Sequence, residues 1–68
     1  LKDEDLASTA EEFLGNDLNV SETSRNLYMH RNTLMYRLDK LERMTGLNLR
    51  KFSDAVTFRV ITILNRLV

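Results

Sequence analysis

With 68 residues, no cysteine and one histidine (His30), the chain is one domain at most, which excludes a disulfide framework, a thiolate metal site and a histidine-cluster metal site. Its 29% charged and 43% hydrophobic residues are ordinary for a soluble domain, and no apolar run approaches the roughly 20 residues of a membrane span. The formal net charge is zero, which on the total alone argues against a nucleic-acid partner.

The absence of proline and the presence of only two glycines, Gly15 and Gly46, favour uninterrupted helices. The pattern predicts an all-α fold, a small four-helix domain containing a helix-turn-helix motif. A first helix is expected from about Asp3 to Leu14, where Leu6, Ala10, Phe13 and Leu14 form one apolar stripe. Gly15 stands where a left-handed C-cap would close it. Leu18 and Val20 are expected core anchors in the turn that follows.

Ser21 is the expected N-cap of a short second helix over Glu22 to Leu27, with Glu22 favourably placed in its first turn. Tyr28, Met29 and His30 form a short break. The third helix is expected from Arg31 to Thr45, with His30 as its cap, Met29 stapled onto Leu34, and Gly46 as its terminator. Leu47, Leu49 and Phe52 are expected to return to the core. Ser53 should then cap a fourth helix that runs to about Arg66.

Two helices joined by about three residues, the second long and basic, match the helix-turn-helix plan, in which the second helix enters the major groove of DNA. Charge is distributed accordingly. Residues 25–51 carry seven cations (Arg25, Arg31, Arg37, Lys40, Arg43, Arg50, Lys51) against Asp39 and Glu42, a net of +5. Residues 1–24 set Lys2 against seven acids, a net of −6. Phosphate binding follows local potential, so the basic block outweighs the neutral total.

On a helical wheel Leu34, Leu38 and Leu41 share one face within about 40°. Asn32, Tyr36 and Arg43 lie opposite, within about 30° of the far side. Thr33 and Lys40 flank that side, and Arg37 lies near its border. Asn pairs with adenine, a Thr methyl meets the thymine methyl, and Arg and Lys reach guanine or phosphate. The candidate base readers are His30, Arg31, Asn32, Thr33 and Tyr36. The candidate phosphate contacts are Arg37, Lys40 and Arg43, together with Ser21 and Thr23 near the start of the supporting helix.

The stretch from Asn19 to Leu38, and above all His30-Arg31-Asn32-Thr33-Leu34 followed by Tyr36-Arg37-Leu38, resembles the C-terminal helix-turn-helix domain of PucR/CdaR-type bacterial regulators. Thr45-Gly46-Leu47-Asn48-Leu49-Arg50 fits the same family's T-G-L-x-L/I-R segment. The likeness covers nearly the whole chain; the Fis-type helix-turn-helix is a more distant likeness. It implies a cytoplasmic, nucleoid-associated transcription factor that responds to small metabolites, with a recognition helix falling on Arg31 to Met44. Members often have Arg where this chain has Met35, which lowers the charge of that helix. The chain starts at Leu1, and we expect it to be one helix-turn-helix domain, residues 1–68, of a larger regulator whose sensory regions are absent.

Each feature also has a plain structural reading. The leucines are core; the arginines can form ordinary exposed ion pairs with Asp39 or Glu42; His30 can be a surface or capping residue. The fourth helix is apolar on two sides, with Ala55, Phe58 and Ile61 on one and Val56, Val60, Ile63 and Leu67 on the other. The expectation is that one side packs on this domain. The other would meet a second copy or the missing upstream region. The competing function is a helical protein-interaction module that never touches DNA. An enzyme is not expected: no acid near His30 suggests a triad or metal site, no glycine-rich phosphate loop occurs, and no cofactor is implied.

Overall fold

The computed structural model describes residues 4–67. Among them are four helices and no strand: α1 (Glu4–Gly15), α2 (Val20–Asn26), α3 (Arg31–Thr45) and α4 (Phe52–Leu67). The expected start of α1 at Asp3 lies outside the described residues. None of these helices is long and apolar enough to cross a membrane.

The core forms where the apolar stripes meet. Leu6, Ala10 and Phe13 of α1 pack against Leu34, Leu38 and Leu41 of α3, and Leu49 and Phe58 complete the cluster. Leu18, Val20, Met29 and Leu47 are half-buried against it. The leucine stripe therefore faces inward, as the wheel requires: all three leucines are at most 2% exposed. Met29 reaches the cluster that holds Leu34, as a hydrophobic staple does.

Four helix boundaries differ from the sequence expectation. Gly15 is the last residue of α1 and not a left-handed cap. The left-handed residues are Asp17 (φ 57°) and Leu18 (φ 64°). Leu18 N–H donates to Phe13 C=O at 3.0 Å and Asp17 N–H to Leu14 C=O at 3.2 Å. That pair of bonds is a Schellman closure, which satisfies carbonyls that helix termination leaves open.

The cap of α2 is Asn19 and not Ser21. Its Oδ1 accepts from Glu22 N–H at 2.9 Å, so α2 starts at Val20, and Ser21 lies inside the helix. Asn is as good a cap as Ser, and its reach decides the register here. At the other end, α2 stops at Asn26 with Leu27 as C-cap, one residue short of the expected end.

Phe52 opens α4 and is 77% exposed, so it does not return to the core. It lies one turn before Val56, on the outer side of α4, while Leu49 joins the core cluster and Leu47 packs against it. Ser53 consequently sits inside α4 and does not cap it. Asp54 instead braces the preceding loop, its Oδ2 accepting from Asn48 N–H at 3.0 Å. Ile61 is exposed and not inward with Ala55 and Phe58, because burial along α4 stops at Phe58.

Candidate nucleic-acid interface

Helix α3 is positioned at both ends by local chemistry. At its start His30 is extended (φ −66°, ψ 145°), and its Nδ1 accepts from Asn32 N–H at 3.1 Å. At its end Gly46 adopts φ 78°, and its N–H donates to Glu42 C=O. That left-handed residue is the one place where the fold calls on glycine's freedom.

The turn from α2 into α3 is also a Schellman closure. Tyr28 N–H donates to Arg25 C=O at 3.1 Å and Met29 N–H to Ser24 C=O at 3.0 Å, with Tyr28 at φ 53°. A polar cluster ties α2 to α1. Asn16 Nδ2 donates to Glu12 Oε2 at 3.0 Å and to Thr23 Oγ1 at 3.3 Å, and Asn26 Nδ2 donates to Asn16 Oδ1 at 3.3 Å. Hydrogen bonds thus hold α2 to the end of α1, while the leucines hold α3 to α1.

With α3 seated on its leucines, Asn32, Thr33, Tyr36 and Arg43 are exposed together on its far side, and Arg31 is exposed at its start. Arg43 places its guanidinium carbon 5.9 Å from the Tyr36 ring centroid, a cation–π distance that presents the two as a unit. Arg31 Nη1 donates to Ser21 Oγ at 3.4 Å, which joins the start of α3 to the first turn of α2. His30 is exposed beside them.

Two candidates lie elsewhere. Thr23 is fully buried: its hydroxyl donates to Asn19 C=O at 2.7 Å and accepts from Asn16. It is a structural residue of α2 and not a phosphate contact. Arg37 is half-buried, and its Nη1 donates to Thr9 Oγ1 of α1 at 3.2 Å, so its head turns toward the core side. Lys40 is half-buried on the flank of the outward face.

One residue of this face was not singled out from the sequence. Arg50, in the loop after α3, donates to Asp39 Oδ1 at 2.8 Å and lies 3.8 Å from Met35 Sδ. Asp39 borders the outward side of α3 and repels phosphate; Arg50 offsets that charge. The available signal was Arg50 at the end of the T-G-L-x-L-R segment.

Comparison with known proteins identifies the family of the chain. The family model described as the PucR C-terminal helix-turn-helix domain matches residues 6–64. The chain is 34% identical over 67 residues, 98% of its length, to the purine catabolism regulatory protein of Bacillus subtilis (strain 168). It is 38% identical over 60 residues, 88% of its length, to the uncharacterized protein YsfB of the same organism. It is also 47% identical over 38 residues, 56% of its length, to the carbohydrate diacid regulator of Escherichia coli (strain K12). The chain spans only 13%, 16% and 10% of those three proteins respectively. No solved structure matches. The chain belongs to the PucR C-terminal helix-turn-helix domain family, a DNA-binding transcription-regulator domain and not an enzyme.

Proposed function

We propose that this domain binds duplex DNA sequence-specifically by laying α3 in the major groove. In this reading His30, Arg31, Asn32, Thr33 and Tyr36 meet base edges, while Ser21, Lys40 and Arg43 hold phosphates. Base contacts in such a motif concentrate near the start of the recognition helix, where these readers lie. The observation that carries the reading is one helix with two faces: a leucine face sealed in the core and a polar, cationic face left open beside the start of α2.

The domain works, in this proposal, within a longer bacterial regulator in the cytoplasm. Relatives named for purine catabolism and for carbohydrate diacids support a metabolite signal read outside this domain.

The test is a fluorescence anisotropy titration of the chain onto a labelled duplex over a range of salt. The two cationic phosphate contacts per copy, Lys40 and Arg43, predict a log–log slope of about −1.8. Absence of salt-dependent binding to any duplex, including nonspecific sequence, overturns the reading. It favours the interaction module instead.

A further inference from the structure

Helix α4 is poorly covered by its own domain. Only Ala55 and Phe58 of its 16 residues are buried. Val56, Val60, Ile63 and Leu67, spaced by four, three and four, lie along its outer side and are 44–78% exposed. A helix segment with so little tertiary support is marginal by itself in water.

We propose that the outer side of α4 is a self-association surface, on which two copies of this chain pack α4 against α4 in antiparallel orientation. The four–three–four spacing is that of the a and d positions of a two-heptad seam. In an antiparallel pair Val60 meets the other copy's Ile63 and Val56 meets its Leu67, and the same pairs form again across the two-fold axis. Every seam residue then has an apolar partner, and the contact closes at two copies.

Charge and shape favour this occupant. The seam holds no ionisable group, and the two cations beside it, Arg59 and Arg66, both pair with Glu11 of α1. A polar or charged partner finds nothing to pair with along the seam, whereas a second apolar helix of the same spacing does. A standard interface takes about 800 Å² from each partner, more than a short helix pair alone provides. An open, mostly apolar groove between the end of α1 and the start of α4, where Leu14, Leu18 and Phe52 adjoin the seam residues Val56 and Val60 and Asp17 and Arg59 stand at the border, extends the contact. It lies at the end of α4 where the other copy's Leu67 falls.

The test is sedimentation equilibrium of the chain without DNA, so its outcome is independent of the proposed DNA binding. The parent is expected to reach dimer mass in a concentration-dependent way, and Val60→Glu to remain monomeric while keeping the cooperative thermal unfolding of the α1–α3 core. A parent that stays monomeric at millimolar concentration overturns the proposal, as does a Val60→Glu variant that keeps dimer mass. Orientation is read by disulfide trapping, since the chain has no cysteine of its own. A Val56→Cys chain mixed with a Leu67→Cys chain should form the mixed disulfide in excess of both homodisulfides. Predominant homodisulfides overturn the antiparallel arrangement.

Discussion

Glu11 of α1 and Arg59 of α4, 48 positions apart in sequence, meet at 2.9 Å, and the second oxygen of the same carboxylate takes Arg66. One acid thus holds two turns of α4, in the part of that helix where burial has ended. The hydrogen bond from Arg59, with smaller contributions from the charges of Arg59 and Arg66, holds the Glu11 carboxyl below its usual 4.5 against the opposing effect of burial. A lowered carboxyl pKa means that the folded state favours the ionised form.

The contribution of Glu11 to stability is fully present above its unfolded value and disappears as pH falls through the lowered folded value. The parent is therefore expected to exceed Glu11→Gln in stability by about 0.5 kcal/mol at neutral pH, the scale of an exposed pair. That difference should shrink only below the ordinary carboxylate range, and high salt should shrink it at any pH. Urea titrations of both chains at neutral and acid pH check this. A difference that is unchanged in acid removes the ion pair as its cause.

Tyr28 is 97% exposed at φ 53°, so it bears left-handed strain with no packing in return. A left-handed non-glycine residue costs about 1–2 kcal/mol, and glycine returns roughly half of that gain through its freer unfolded chain. Tyr28→Gly is expected to stabilise the domain by about 0.5–1 kcal/mol, a rise in Tm of a few degrees by thermal melting. A fall in Tm instead means that the ring supports the fold.

The buried stripe of α3 gives the opposite sign. Leu38→Ala removes a side chain that is 2% exposed in the central cluster and is expected to cost about 2–5 kcal/mol. Urea unfolding measures it. A loss of less than half a kcal/mol would place Leu38 outside the core.

These residues also mark what a one-dimensional pattern conveys. The α3 boundaries, its leucine face and its Gly46 terminator were legible because periodicity and left-handed glycine act over one or two turns. The α2 cap was not, since Asn19 and Ser21 are both good caps and only the path from Asp17 and Leu18 decides between them. Thr23 and Arg37 read as polar residues available to phosphate. Their partners, Asn16 and Thr9, lie seven and 28 positions away, beyond any local pattern. The Arg50–Asp39 pair is hidden for the same reason.

The outward face of α3 is separated from its supports by three substitutions read in one assay. Arg43→Ala is expected to weaken binding to all duplexes alike and to reduce the salt slope by about one, as loss of one phosphate contact does. Asn32→Ala should leave the slope unchanged and cost about 1–3 kcal/mol on the preferred sequence alone, because it removes a base contact. Arg37→Ala should act mainly on stability, through its lost bond to Thr9. Anisotropy titrations on a selected and a scrambled duplex, with a melting curve for each variant, distinguish the three roles. Should Arg37→Ala lower the salt slope as Arg43→Ala does, its guanidinium leaves Thr9 to hold a phosphate. The phosphate-contacting surface of α3 then extends to its core-side border.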